Sequence, residues 1–142
     1  MLLSKNAQTG FKPSGSSEAA LIDLTHAISV MLEDNKYVRC LLIDFSTAYD
    51  TVNHAILMKK LVEYGLDQYV IAWVLSFLTD RTQFSKVGTK ISRLKAINLS
   101  IVQGSEVGPC QFIILVADLR HTETTNHLGK YADDATLSRG VF

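Results

Sequence analysis

Tyr131-Ala132-Asp133-Asp134 sets two adjacent carboxylates between an aromatic–small pair and the short run Ala135-Thr136-Leu137. Crowded acids are costly unless a cation neutralises them. Lys130 to Leu137 reads as a tight hairpin with Asp133-Asp134 at or near its turn. Upstream, Leu41-Leu42-Ile43-Asp44 is an apolar run ending in another carboxylate. Tyr37 to Ile43 reads as a buried strand with Asp44 at its carboxyl end, a place where a sheet fixes side chains well. If folding joins Asp44 to Asp133, the two make an oxygen-rich site for Mg²⁺. A pair of such ions can clamp the attacking and leaving oxygens of an in-line phosphoryl transfer.

Outward from these acids, the periodicity is mostly helical. From Ser17, the residues Leu21, Leu24, Ala27, Ile28 and Met31 recur at three- and four-residue steps and form one apolar stripe. Ser16 or Ser17 can cap this helix, Glu18 suits its first turn, and Asp34-Asn35-Lys36 ends it. After a turn over Phe45 to Asp50, a helix is expected from His54 to Tyr64, with Gly65 as its left-handed terminator. Asp67 can cap the next, from Gln68 to Leu78, whose face carries Val70, Ile71, Val74, Leu75 and Leu78.

Arg81 to Leu99 changes character. Arg81, Lys86, Lys90, Arg93 and Lys95 fall within fifteen residues that contain no Asp or Glu. Apolar residues interleave with them, and Gly88-Thr89 offers a turn. A hairpin with one basic face is predicted, either a solvated edge or a contact for a nucleic-acid backbone. Gln103-Gly104-Ser105 and Gly108-Pro109 read as a glycine loop leading into a buried helix over Cys110 to Leu119. His121 to Gly129 reads as a polar linker. The order α, β, α, α, hairpin, loop–helix, hairpin predicts an α+β domain built on a small antiparallel sheet that carries the acids.

Bulk composition is consistent with this. The 142 residues make about one domain, 47% hydrophobic and 20% charged, with zero net charge. Zero net charge runs against the usual basic character of nucleic-acid binders. Cys40 and Cys110 are far apart and read as reduced, small hydrophobes. The histidines are scattered, so zinc spacing is absent. No targeting signal or membrane-length apolar run is visible, and an intracellular protein of nucleus or cytoplasm is expected.

Four blocks then carry a resemblance. They are Gln8-x-Gly10-Phe11-Lys12-Pro13, the run from Leu41 to His54, Gln103-Gly104-Ser105-x-x-Gly108-Pro109, and Tyr131 to Leu137. In this order and at these separations they resemble the reverse transcriptase domain of non-LTR (LINE-type) retrotransposons, from about residue 8 to residue 138.

The resemblance implies a right-hand polymerase palm over residues 37–138, with a fingers and palm lead-in over 8–36. It implies a truncated domain, without thumb and with incomplete fingers, and an isolated chain expected to be inactive. Asp44 and Asp133 would be metal carboxylates, with Asp134 beside them. The backbone carbonyl of Phe45 would also contact metal. Two Mg²⁺ (or Mn²⁺) ions are implied as cofactors. Tyr49 would be a steric gate under the incoming sugar, favouring dNTP over rNTP, while Gln103 and Gly104 would lie over nucleotide and template. The partners implied are an RNA template and a DNA primer, with no membrane. The alternative is a non-catalytic nucleic-acid-binding or relic folded module that uses the basic stretch.

The sequence also departs from the family's usual pattern. Val102 and Val107 stand where proline and leucine are usual, and Glu106 adds a charge to the glycine loop. Ser14-Gly15-Ser16-Ser17 lacks the usual arginine.

Overall fold

The computed structural model describes residues 8–11, 13 and 15–142; Lys12 and Ser14 lie outside the described residues. In chain order the elements are α1 (Ser17–Asp34), β1 (Tyr37–Asp44), α2 (His54–Glu63), α3 (Gln68–Leu78), β2 (Arg81–Gln83), β3 (Lys86–Val87), β4 (Lys90–Ile91), β5 (Lys95–Ile97), α4 (Val107–Leu115), β6 (Asn126–Tyr131) and β7 (Asp134–Val141). They fall into two units, one from the residues up to Ser46 with Val116–Phe142, the other Thr47–Leu115. The result is the mixed helix and antiparallel-sheet class expected.

The first unit is an antiparallel sheet of order β1-β7-β6 with α1 packed against it. Ser16 opens α1: its backbone is extended, and its side-chain oxygen accepts from Ala19 N at 3.1 Å. This satisfies one of the donors a helix start leaves unpaired. The Glu18 carboxyl is held below its ordinary pKa, chiefly by its own backbone N–H and then by Ser16. In the predicted stripe, Leu24, Ala27, Ile28 and Met31 are half-buried, whereas Leu21 is 61% exposed. A contact of 3.1 Å between His127 Nε2 of β6 and the Asp23 carboxylate of α1 ties helix to sheet. The core of this unit holds Ala117, Leu128, Ala135 and Ser138.

Two expectations fail in this unit. β1 is not a buried strand: it is an edge strand, paired with β7 alone among the described residues, and Leu42 is 76% exposed. An apolar run does not by itself distinguish a central strand from an edge. Nor is the stretch from His121 to Gly129 linker throughout, because β6 begins at Asn126. Its inward positions are Leu128 and Lys130, and a lysine on the buried side hides the two-residue alternation.

In the second unit, α2 and α3 start where predicted. Asn53 accepts from Ala55 N and Ile56 N, and Asp67 accepts from Tyr69 N. Leu57, Leu61, Val74, Leu78, Ile101 and Phe112 form the core, with Ala48 and Val52. Gly65 is left-handed at φ 70, the conformation a helix terminator needs. The helix expected over Cys110 to Leu119 starts and ends earlier, at Val107 and Leu115. Ser105 explains the start: its hydroxyl accepts from Gly108 N at 3.0 Å, and proline is tolerated in a first turn because its missing N–H would be unpaired there anyway. Cys40 and Cys110 are free and exposed rather than interior hydrophobes. Among the described residues, no helix is long and apolar enough to cross a membrane.

Candidate functional site

The β6–β7 hairpin builds the acidic turn. Tyr131 pairs with Asp134, leaving Ala132 and Asp133 as a two-residue loop. Ala132 has φ 54 and Asp133 is not among the positive-φ residues, the φ pattern of a type II′ turn. Asp134 therefore belongs to strand β7 rather than to the turn. On its other side it pairs with Asp44, the last residue of β1. The register brings Asp44 beside the acidic turn from a distant part of the sequence.

Directly opposed positions in an antiparallel pair hold their Cβ atoms about 4.5–5.5 Å apart, and like charges there repel. Asp44 and Asp134 are exposed and Asp133 is half-buried, so solvent relieves part of that repulsion. Among the described residues no group of three or more His, Cys, Asp or Glu side chains could hold a metal ion. The acids are thus not a closed cage. Mg²⁺ does not need one: it binds through one or two carboxylates and fills its remaining positions with waters and substrate phosphates. Exposed carboxylate oxygens at a strand end and an adjacent turn fit that donor set. Asp134 also borders a cleft of about 220 Å³ with Thr9, Ser17 and Leu21, which places it on the α1 side of the sheet.

The turn is supported from below. Gln8, 2% exposed, makes an isolated bridge with Lys130. Its side-chain Oε1 accepts from Ala132 N at 3.0 Å and from Gly10 N at 2.9 Å, and its Nε2 donates to Ala132 O at 3.0 Å. Lys130, 5% exposed, donates from its ammonium to Val116 O and Leu119 O at 3.1 Å each. Gln8 belongs to a block that the motifs had marked, yet spacing gave it no role. Lys130 carried no signal, because a lysine at a strand position reads as a solvent-facing residue.

The second unit holds the residues expected to contact nucleotide. The Tyr49 ring stacks on Phe112, centroids 5.1 Å apart and planes 11° from parallel, and Tyr49 O accepts from Ile101 N at 2.8 Å. Gln103 Nε2 donates to the Asp50 carboxylate at 2.9 Å, which makes Asp50 a structural acceptor. Gly104 is left-handed at φ 79. Phe45, which follows Asp44 in the first unit, is 38% exposed.

The basic stretch is a ribbon: β2 pairs with β5 and β3 with β4, with Gly88 at φ 59 in the turn. The expected single basic face is absent. Lys86 pairs with Ile91 and Lys90 with Val87, so alternation of the pleat puts the two lysines on opposite faces. Lys86, Lys90, Arg93 and Lys95 are all exposed. Arg81 is committed elsewhere: it donates to Phe77 O at 3.2 Å and lies over the Phe77 ring, 5.2 Å from its centroid.

Residues 3–139 match the reverse transcriptase (RNA-dependent DNA polymerase) family, and the chain belongs to that family. Over 137 residues, 92% of this chain, it is 28% identical to the probable RNA-directed DNA polymerase from transposon BS of Drosophila melanogaster. It is 27% identical over the same length to the RNA-directed DNA polymerase from mobile element jockey of that organism. Over 101 residues it is 26% identical to the retrovirus-related Pol polyprotein from type-1 retrotransposable element R2 of Popillia japonica. The chain spans 15% of the length of the first two relatives and 17% of the third. These are non-LTR retrotransposon proteins, as the four sequence blocks implied.

Proposed function

We propose that the first unit carries the metal-holding carboxylates of a polymerase palm, with Asp44 and Asp133 as the principal ligands. The observation that carries this reading is the β1–β7 register, which ends with Asp44 opposite Asp134 and one position from Asp133. Asp134 then adds negative charge, and the carbonyl of Phe45 a further oxygen. Two Mg²⁺ or Mn²⁺ ions, when bound, would neutralise the charge that builds on a phosphoryl group under attack. The chain's own residues position and neutralise, and such effects supply most of the catalysis in phosphoryl transfer. The reaction is attack of a primer 3′-hydroxyl on the α-phosphate of a dNTP, with an RNA template setting the base and pyrophosphate leaving.

In the second unit, the family resemblance assigns nucleotide contacts to Tyr49, Gln103 and Gly104. A Tyr49 ring held by Phe112 is stiff enough to act as a steric gate. The Gln103 amide, held by Asp50, is oriented rather than free.

A second reading is favoured by the ribbon, where four exposed cations stand in a stretch without any acid: nucleic-acid binding without catalysis, through Lys86, Lys90, Arg93 and Lys95. Backbone neutralisation by lysine and arginine makes such binding salt-dependent.

Mn²⁺ titration of the full chain tests the first reading. Metal binding to the folded state raises the melting temperature, and Asp44→Asn or Asp133→Asn abolishes that rise. Mg²⁺-dependent extension of a DNA primer on RNA, lost in Asp44→Ala, is the matching activity. A melting temperature indifferent to Mn²⁺ overturns the metal reading. RNA binding that persists without metal and weakens with salt then leaves the second.

A further inference from the structure

We infer that Gln8 is the positioning residue of the acidic turn, a role that rests on the metal-holding reading of Asp44 and Asp133. Ala132 sits at φ 54, a conformation that Cβ makes unfavourable in any residue but glycine. Such a residue persists only where its surroundings over-determine it. Here they do. One carboxamide meets both polar groups of the Ala132 backbone, accepting from its N–H and donating to its C=O, each at 3.0 Å. Gly10 closes the other side: a Cβ on it would stand 2.3 Å from Ala132 N and 3.0 Å from Ala132 Cα. The amide group is therefore specified. Glutamate has no donor for the carbonyl and would add a charge beside the acids; leucine matches the shape and makes neither bond.

The consequence falls on Asp133, the next residue. With Ala132 clamped, the peptide that joins it to Asp133 has one orientation, and the Asp133 backbone is held next to Asp134, the residue that pairs with Asp44. Without the clamp, Ala132 regains its ordinary φ range and Asp133 is free to swing. Gln8 touches neither substrate nor metal on this assignment; it acts through the turn.

The test uses the full chain in four forms: wild type, Gln8→Leu, Gly10→Ala and Leu128→Ala. Leu128 is a buried residue of β6, and its truncation lowers stability without altering the clamp. Two measurements are made where circular dichroism shows each form folded: Mn²⁺ affinity, and hydrogen exchange at the Ala132 amide. Gln8→Leu and Gly10→Ala are expected to bind Mn²⁺ at least tenfold more weakly than wild type, while Leu128→Ala melts lower with affinity unchanged. The Ala132 amide is expected to exchange at least tenfold faster in Gln8→Leu. Gly10→Ala keeps the Gln8 side chain but crowds both Ala132 N, at 2.3 Å, and Gln8 Oε1, at 3.2 Å, so it disturbs the same clamp from the other side and carries the test should Gln8→Leu not fold. Wild-type Mn²⁺ affinity in the turn variants, or an Ala132 amide equally labile with and without Gln8, overturns the inference. Failure of the metal reading has its own signature, Asp44→Asn and Asp133→Asn chains that titrate like wild type. Ala132 exchange then decides alone whether Gln8 positions the turn.

Discussion

Asp44 faces Asp134 across the β1–β7 ladder, the last pair of a register that begins with Tyr37 opposite Val141. Two like charges directly opposed cost roughly 0.2–1 kcal/mol relative to a neutral pair. Removing one has opposite effects with and without a divalent ion. In metal-free, low-salt buffer, Asp134→Asn is expected to raise stability by about that amount. With Mn²⁺ present, the same variant gains less from the ion than wild type does. Paired thermal melts, with and without Mn²⁺, read both signs. A variant less stable than wild type in metal-free buffer contradicts the repulsion on which the argument rests.

Gln111 predicts a gain in stability. It is 2% exposed on α4, and among the described residues neither its amide nitrogen nor its amide oxygen has a hydrogen-bond partner. An unpaired buried polar group costs about 1–3 kcal/mol. Gln111→Met, close in shape and without polar hydrogen-bonding demands, is expected to recover much of this as a higher urea midpoint with an unchanged m-value. A midpoint that falls would mean the amide has partners after all.

Lys130 predicts a loss. Its ammonium serves the Val116 and Leu119 carbonyls from a 5% exposed position. Lys130→Met keeps the stem and strands both acceptors. Hydrogen bonds to charged groups contribute about 1.5–3 kcal/mol each, but burying the ammonium offsets part of that, so a net cost of about 2 kcal/mol is expected from urea unfolding. An unchanged midpoint would show that these bonds are not needed.

The ribbon predicts a separation between binding and stability. Lys86→Ala and Lys90→Ala should each leave the unfolding midpoint within about 0.5 kcal/mol of wild type. Each should also reduce the slope of log K against log salt for RNA by about 0.7 if the strand is single. Arg81→Ala should do the reverse, lowering stability through its lost Phe77 contacts and leaving the salt slope alone. A slope that ignores both lysines removes the ribbon from the binding surface.

How much of this the sequence discloses depends on whether the decisive neighbours are local. Ser16, Asp67, the 3.6-residue periods and the tight turn before Asp134 are all set within a few residues, and all were legible. The strand ending in Asp44 was legible as an apolar run with an acid at its carboxyl end, but nothing local in it names the hairpin it pairs with. The exposure of β1 was not, because Leu41 and Leu42 look the same at a sheet's edge as at its centre. The faces of Lys86 and Lys90 depend on a register that one residue of slip would reverse. Gln8 lies near the start of the chain and Ala132 near its end, so no local pattern links them. Lys130 hides for another reason: buried lysines are rare, so a lysine in a strand reads as facing solvent.

The lysines of the ribbon have a geometric consequence of their own. A flat cationic plate can lie along one side of a polymer, but a thin blade with an ammonium on each flank cannot satisfy both that way. Any polyanion that engages Lys86 and Lys90 together must present phosphates to the left and to the right of the blade. It does so either as two walls of a groove or as a single strand folded around the tip.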